Sequence, residues 1–257
     1  MSQAAHKTTT VAHRPMPRVA VISDVHANEE ALLAVLEEID AWAPEAIWCL
    51  GDVVGYGPAP NRCCQIVAER AGVCLIGNHD LVALGTLDVT DFNDEAAAAA
   101  LWTRAALDER SRAFLSELEP TATVGDVQMF HASPRDPVWE YVLSAETAYA
   151  SLLSADAPVV LVGHSHVALA IGLDDAQLHG GLAPVGTEVK LDGRWLLNPG
   201  SVGQPRDGDP DATWLALDTD ARFARFHRVA YPIERTQAAI REHGLPEALA
   251  VRLADGT

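Results

Sequence analysis

Short apolar runs rich in β-branched residues recur along this chain, and each stops abruptly at a glycine or a polar side chain. Between them, apolar residues return at every third or fourth position, the period of a helix. Residues 18–23, 46–50 and 73–76 are runs of the first kind and read as buried strands. Residues 29–41 are of the second kind, with Leu32, Leu33, Val35, Leu36 and Ile39 forming a stripe behind Asn28, Glu29 and Glu30 at the helix start. Residues 60–70 read as another helix. Strand, helix, strand, helix, strand predicts a parallel sheet with helices on its faces, and all three strand ends then open on one rim.

Further along, residues 92–118 read as helical, with an alanine-rich part from 95 to 101 and a short second helix over 111–118. Residues 121–124 and 127–130 flank Gly125-Asp126 and predict a hairpin. A polar, proline-broken loop (132–141), a helix (145–154) and a fully apolar strand (158–162) follow. From 177 to 229 the pattern changes to short alternating runs with turn signals, which predict antiparallel strands in a second sheet. A helix over 233–243 closes the pattern. The reading is an α/β protein (α+β in some schemes), a four-layer αββα sandwich of two mixed sheets stacked face to face with helices outside. Residues 18–243 form a single domain, residues 1–17 a flexible N-terminal extension holding His6 and His13, and 244–257 a C-terminal tail.

The polar groups that end the apolar runs are not an arbitrary set. They are Asp24-Val25-His26, Gly51-Asp52, Gly77-Asn78-His79-Asp80, His131 and Gly163-His164-Ser165-His166. One aspartate after a strand is commonly a turn or helix cap. Five strand ends carrying imidazole, carboxylate and amide groups are not a product of core packing. In an extended chain residues two apart point the same way, so Asp24 with His26, and His164 with His166, are each expected to reach one point. Mixed nitrogen and oxygen donors suit first-row divalent ions such as Mn, Fe, Co, Ni or Zn, rather than a thiolate cage or an all-oxygen calcium site.

Composition narrows the partners. The chain has 257 residues, 36 acidic against 18 basic, for a formal net charge of −18. Double-stranded nucleic acid is bound through lysine and arginine, so a phosphate-bearing substrate is expected to be small and long nucleic acid is excluded. The four cysteines, Cys49, Cys63, Cys64 and Cys74, are too few and too clustered for a disulfide framework, which places the chain in a reducing, cytoplasmic setting. No stretch approaches the roughly 18 unbroken apolar residues of a membrane span, and the first 17 lack a signal peptide's apolar centre. The six tryptophans read as core or rim packing, and His179, His227 and His243 as ordinary histidines.

Taken in order and spacing, Asp24-x-His26, Gly51-Asp52, Gly77-Asn78-His79-Asp80, His131 and Gly163-His164-x-His166 resemble the signature of the calcineurin-like metallophosphoesterases. The segments 54–58 with Asn61, 131–136 and 198–206 are similar to a bacterial stand-alone phosphodiesterase branch. The resemblance implies two divalent metal ions. Asp24, His26, Asp52 and His166 would hold one, and Asp52, Asn78, His131 and His164 the other, with Asp52 shared. It implies in-line attack on phosphorus by a metal-bridging hydroxide, with His79 assisting the leaving oxygen. Asn28, Tyr56 and Arg206 are its candidates for holding substrate, and Arg135 is a weaker one.

Gly55-Tyr56 stands where the protein Ser/Thr phosphatases of the superfamily carry Asp-Arg, and Ala27 and Ala132 replace expected glycines. That argues against a protein phosphatase and leaves the support of His79 undefined. The expected activity is a phosphodiesterase on a small or nucleotide-type substrate. A phosphomonoesterase and a non-catalytic scaffold of the same fold are the alternatives. Oligomeric state is not legible.

Overall fold

In the computed structural model, which describes residues 18–257 and the backbone of the strand β1 (Thr9–Thr10), the apolar runs build two stacked sheets. Strand β2 (Arg18–Ile22), helix α1 (Glu29–Trp42), β3 (Ala46–Cys49), α2 (Pro60–Arg70) and β4 (Val73–Cys74) form the expected parallel unit. The remaining extension, with His6 and His13, lies outside the described residues. Helix α3 (Asn78–Leu84) follows β4 directly, so Asn78 and His79 open a helix rather than a loop. After α4 (Asp94–Ala106) and α5 (Glu109–Ser116) comes the hairpin β5 (Thr121–Val124) and β6 (Val127–Phe130), then α6 (Ala145–Ser154) and β7 (Val159–Leu161).

The strands beyond β7 depart from the expected single antiparallel sheet. They are β8 (Ala168–Asp174), β9 (Gln177–Leu182), β10 (Glu188–Lys190), β11 (Arg194–Pro199), β12 (Ala212–Asp218) and β13 (Phe223–Val229). They divide between both sheets. One sheet has the order β10-β13-β12-β2-β3-β4, the other β1-β5-β6-β7-β11-β8-β9. β12 pairs antiparallel with β2, Leu215 opposite Val21, while β11 lies parallel to β7 and antiparallel to β8. Partner choice here joins segments far apart in the chain, and periodicity does not encode it.

The residues read as a C-terminal tail need a second correction. After α7 (Ile233–Glu242), Glu247–Asp255 form helix α8, which buries Leu249, Ala250 and Leu253 against Ile240, Ala96 and Ala99.

Alternation along the strands explains the layering. Val19, Val21, Trp48 and Leu50 point between the sheets and meet Met129, Leu161, Leu197 and Leu215. Ala20, Ile22 and Trp214 point outward beneath Leu32, Val35, Leu36 and Ile39 of α1. On the far side α6 covers Val160, Val162 and Leu196. The result is helix, sheet, sheet, helix. The carboxyl ends of β2, β3, β4, β6 and β7 carry the five polar motifs. Among the described residues no helix is long and apolar enough to cross a membrane.

Candidate metal centre

The strand-end residues reach the rim by leaving extended geometry. Asp24, His26, Ala27, Asp52, Tyr56, His164 and His166 all have positive φ, between 47° and 62°. Seven of the eleven non-glycine residues with positive φ among those described therefore sit in these loops, and this is where a fold concentrates backbone strain. Asp24 and His26 do converge, but through a left-handed turn rather than strand alternation. Amide bonds lock the turn: Asp24 N–H donates to Gly51 O (3.0 Å), His26 N–H to Asp52 O (2.9 Å) and Ala27 N–H to Val53 O (2.9 Å). Close packing explains Gly77, since a Cβ there would lie 2.0 Å from Asp52 Oδ1.

Each carboxylate has one oxygen tied to protein and one free. Asp24 Oδ2 accepts from Ser23 Oγ (2.6 Å) and from the His164 amide (3.1 Å), while Oδ1 is buried with no partner. Asp52 Oδ1 accepts from the His79 amide (2.9 Å), while Oδ2 is buried with no partner. Those two free oxygens face the imidazoles. Asp24 Oδ1 lies 3.4 Å from His166 Nε2 and 3.9 Å from His26 Nε2. Asp52 Oδ2 lies 3.7 Å from His26 Nε2 and 3.5 Å from His131 Nε2, between two groups of donors. The groups are Asp24, His26 and His166, and Asp52, His131 and His164, each with ligand atoms within 4.8 Å of one another. His164 and His166 thus serve different groups rather than one point.

Backbone carbonyls settle the tautomers. His26 Nδ1 faces Val54 O (3.1 Å), His166 Nδ1 faces Gln204 O (2.7 Å) and His131 Nδ1 faces Leu50 O (2.9 Å). A carbonyl only accepts, so each Nδ1 carries the proton and each Nε2 is left as a lone pair. His164 is reversed: its Nε2 donates to Trp139 O (3.2 Å), which frees Nδ1. Lone pairs then meet lone pairs. His26 Nε2 stands 2.9 Å from His166 Nε2, and His131 Nε2 stands 3.2 Å from Asn78 Oδ1. Acceptor against acceptor is repulsive unless a cation lies among them, so this donor set fits a pair of divalent metal ions.

Burial reinforces the point. It pushes the Asp24 carboxyl up to about 7 and Asp52 well above the usual carboxylate range. It pulls His164 down to about 2, and His26 and His166 well below the ordinary imidazole value. The protein matrix alone disfavours charge on every one of these groups, and a nearby dication reverses that preference for the carboxylates.

Beside the donors opens a cleft of about 420 Å³ lined by Tyr56, Asn78, His79, Phe92, Trp139, Tyr141, Arg206 and Arg252, with Asp91 exposed on its lip. His79 lies between the rings of Tyr56 (4.3 Å) and Phe92 (4.4 Å), with Nδ1 buried, unpartnered and turned to Gly55. Aromatic packing therefore takes the place of a carboxylate behind this histidine. Asp80 is occupied elsewhere, accepting from the amides of Val53 (3.2 Å), Val54 (2.9 Å) and Gly77 (3.0 Å). Arg206 donates to Gln204 Oε1 (2.8 Å) and Tyr56 Oη (3.3 Å) at the cleft wall.

Asn28 is not available to a substrate. Its Oδ1 caps α1 at the Ala31 amide (3.2 Å) and accepts from Thr236 (2.9 Å), and its Nδ2 donates to Gly203 O (2.9 Å) and Tyr231 Oη (3.2 Å). Arg135 points away into an ion pair with Glu140 (3.2 Å). His179 and His227 are likewise paired, with Asp174 and Glu38. Four cleft residues had no signal in the periodicity: Phe92 and Arg252, and Trp139 and Tyr141 in the broken loop after His131. Trp139 corrects the assignment of every tryptophan to packing.

A strained rim of histidines and half-free aspartates on an αββα sandwich defines a metallophosphoesterase. The chain belongs to the calcineurin-like phosphoesterase superfamily, whose domain model matches residues 18–222. It is 36% identical over 241 residues to the uncharacterized protein MJ0912 of Methanocaldococcus jannaschii, covering 91% of this chain and 96% of that protein. A crystal structure of a metallophosphoesterase from Sphaerobacter thermophilus superposes with a TM-score of 0.84 at 42% identity, over 93% of this chain and 99% of the other. The hypothetical protein PH1004 from Pyrococcus horikoshii OT3 shares the fold, with a TM-score of 0.76 at 20% identity over 93% and 98% of the two chains.

Proposed function

We propose that this protein is a phosphodiesterase acting on a small, nucleotide-type phosphoester. One observation carries the reading: Asp52 Oδ2 is free, buried and placed between His26 Nε2 and His131 Nε2, at 3.7 and 3.5 Å. In this reading Asp24, His26, Asp52 and His166 hold one divalent ion, and Asp52, Asn78, His131 and His164 the other. Bound there, a pair of divalent transition-metal ions would supply the positive charge and Lewis acidity that displacement at phosphorus requires.

The chain's own residues do the rest. Arg206 holds a phosphate oxygen with charge-assisted hydrogen bonds, and Tyr56 orients the guanidinium. Burial and then the neighbouring His26 push the His79 pKa well below the ordinary value, and an anionic phosphate bound beside the ring works against that shift and favours the protonated form. With Nδ1 turned to Gly55, its Nε2 is the ring atom available to donate a proton to the leaving oxygen. Phe92, Trp139 and Tyr141 offer flat apolar faces to a base and keep bulk water from the reacting atoms.

A scaffold role is disfavoured by the same geometry, since an inert surface has no use for two buried carboxylate oxygens without partners. The test is metal analysis together with hydrolysis of bis(4-nitrophenyl) phosphate against 4-nitrophenyl phosphate, for wild type and Asn78→Ala. About two metal equivalents, a preference for the diester and a large loss in the variant are expected. Activity that survives both chelation and the substitution overturns the enzyme reading.

A further inference from the structure

Two arginines, Arg206 and Arg252, line the cleft with no aspartate or glutamate partner among the described residues; Arg18, Arg104, Arg112, Arg194 and Arg222 also lack one, but each of those donates to a backbone carbonyl. Arg62, Arg70, Arg235 and Arg241 each sit within ion-pairing distance of an aspartate or glutamate. Arg206 bonds neutral oxygens, among them those of Gln204 and Tyr56, and its Nε is buried without a partner. The Arg252 side chain of α8 has, among the described residues, no hydrogen bond or ion pair, and its guanidinium carbon lies 6.0 Å from the Tyr56 ring centroid. That of Arg206 lies 5.6 Å from the same ring. Both residues are half-buried. Two like charges held around one ring without a carboxylate repel each other, and an anion between them relieves the repulsion.

Neither guanidinium is spent on pairing with a neighbouring acid. The chain carries 36 acidic residues against 18 basic ones, so carboxylates are abundant, yet among the described residues none pairs with either guanidinium, and Arg206 acts on Asp24 and Asp52 only from beyond ion-pairing distance. Asp91, the acid that lines this cleft, is exposed on the lip and forms no ion pair with them. Arg252 lines the cleft beside the ligand groups, on the side formed by α8. Arg206 lines the same cleft and acts electrostatically on Asp24 and Asp52.

We propose that Arg206 and Arg252 form a subsite for a second anionic group of the substrate. The preferred phosphoester then presents its reacting phosphoryl group to the ligand clusters and a second phosphate, on the part that does not react, to α8. This rests on the phosphoesterase reading and adds to it a substrate class: nucleotide esters with more than one phosphate. It also gives α8 a role, because that helix brings Arg252 to a site built otherwise from strand ends.

The test compares two chromogenic esters that differ by one group, thymidine 5′-(4-nitrophenyl phosphate) with and without a 3′-phosphate. Wild-type, metal-loaded protein is expected to favour the 3′-phosphorylated ester by about 10- to 100-fold in kcat/KM, the worth of one or two charge-assisted hydrogen bonds. Arg252→Gln is expected to bring that ratio close to one, and Arg252→Lys to retain most of it. Equal rates for the two esters in wild type, or a preference that survives Arg252→Gln intact, overturns the subsite. If neither ester is hydrolysed, the enzyme reading fails, and calorimetry on the metal-loaded protein decides the subsite separately. There thymidine 3′,5′-bisphosphate is expected to bind at least about tenfold tighter than thymidine 5′-phosphate, with the difference lost in Arg252→Gln. Equal affinities overturn it.

Discussion

His26 and His166 present their Nε2 atoms to each other at 2.9 Å, and the carbonyls of Val54 and Gln204 hold the protons of both rings on Nδ1. Two lone pairs at that distance lower each other's stability, and a cation among them turns the same contact into coordination. Removing metal is therefore expected to destabilise the protein as well as to stop it working. A chelated sample should melt well below the reloaded one in calorimetry, with recovery on adding Mn or Zn. Equal melting temperatures would sink the idea.

In the proposed centre Asp52 is shared by both ligand sets, so its substitution is expected to reach beyond one ion. Asp52→Asn keeps an oxygen for the His79 amide, now at 2.9 Å, but removes the charge between the two sets. Metal content measured by mass spectrometry is expected to fall from about two equivalents to one or fewer. His166→Ala, which touches one set, is expected to spare the other ion. Identical metal contents in the two variants would contradict a shared carboxylate.

How much of this was visible beforehand follows from what each feature depends on. The strands that end in Asp24, Asp52, His131 and His164 announce themselves because an apolar run stops at a polar group, and that is a local property. So is the cap at Asn28, a residue type that bonds the amide three positions on. The division of β11 and β12 between sheets is not local, and neither is the approach of α8 to Tyr56. Backbone strain at Asp24 and His26 is equally hidden, because positive φ is a property that glycine advertises and aspartate does not. The candidate donors were therefore legible, with Tyr56 and Arg206 of the cleft wall, while Phe92, Trp139, Tyr141 and Arg252 were not.

Asn28 makes the clearest separation between a residue near the site and a residue of the site. Its amide serves four partners, the Ala31 amide, Thr236, Gly203 and Tyr231. Asn28→Ala removes a helix cap and leaves buried groups unpaired, at a cost of about 3 kcal/mol. Urea unfolding is expected to show that loss, with KM for a diester changed little in the protein that remains folded. A KM raised tenfold at unaltered stability would return Asn28 to the substrate.

The last expectation concerns His79, whose ring is held by Tyr56 and Phe92 at 4.3 and 4.4 Å rather than by a carboxylate. An imidazole that gives its proton to the leaving oxygen matters in proportion to how badly that oxygen needs one. For 4-nitrophenolate, a stable anion, the need is small; for the alkoxide of a ribose it is large. His79→Asn should therefore cost little with a nitrophenyl ester and about 10²- to 10⁴-fold with an alkyl ester of the same phosphate. Plotting log kcat/KM against the leaving group's pKa should give a steeper negative slope for the variant than for wild type. Parallel lines would mean that His79 binds phosphate without moving a proton. Phe92→Ala supplies the control, because it loosens the ring and leaves its chemistry in place: it should lower the rate for both esters by a similar factor and leave the slope unaltered.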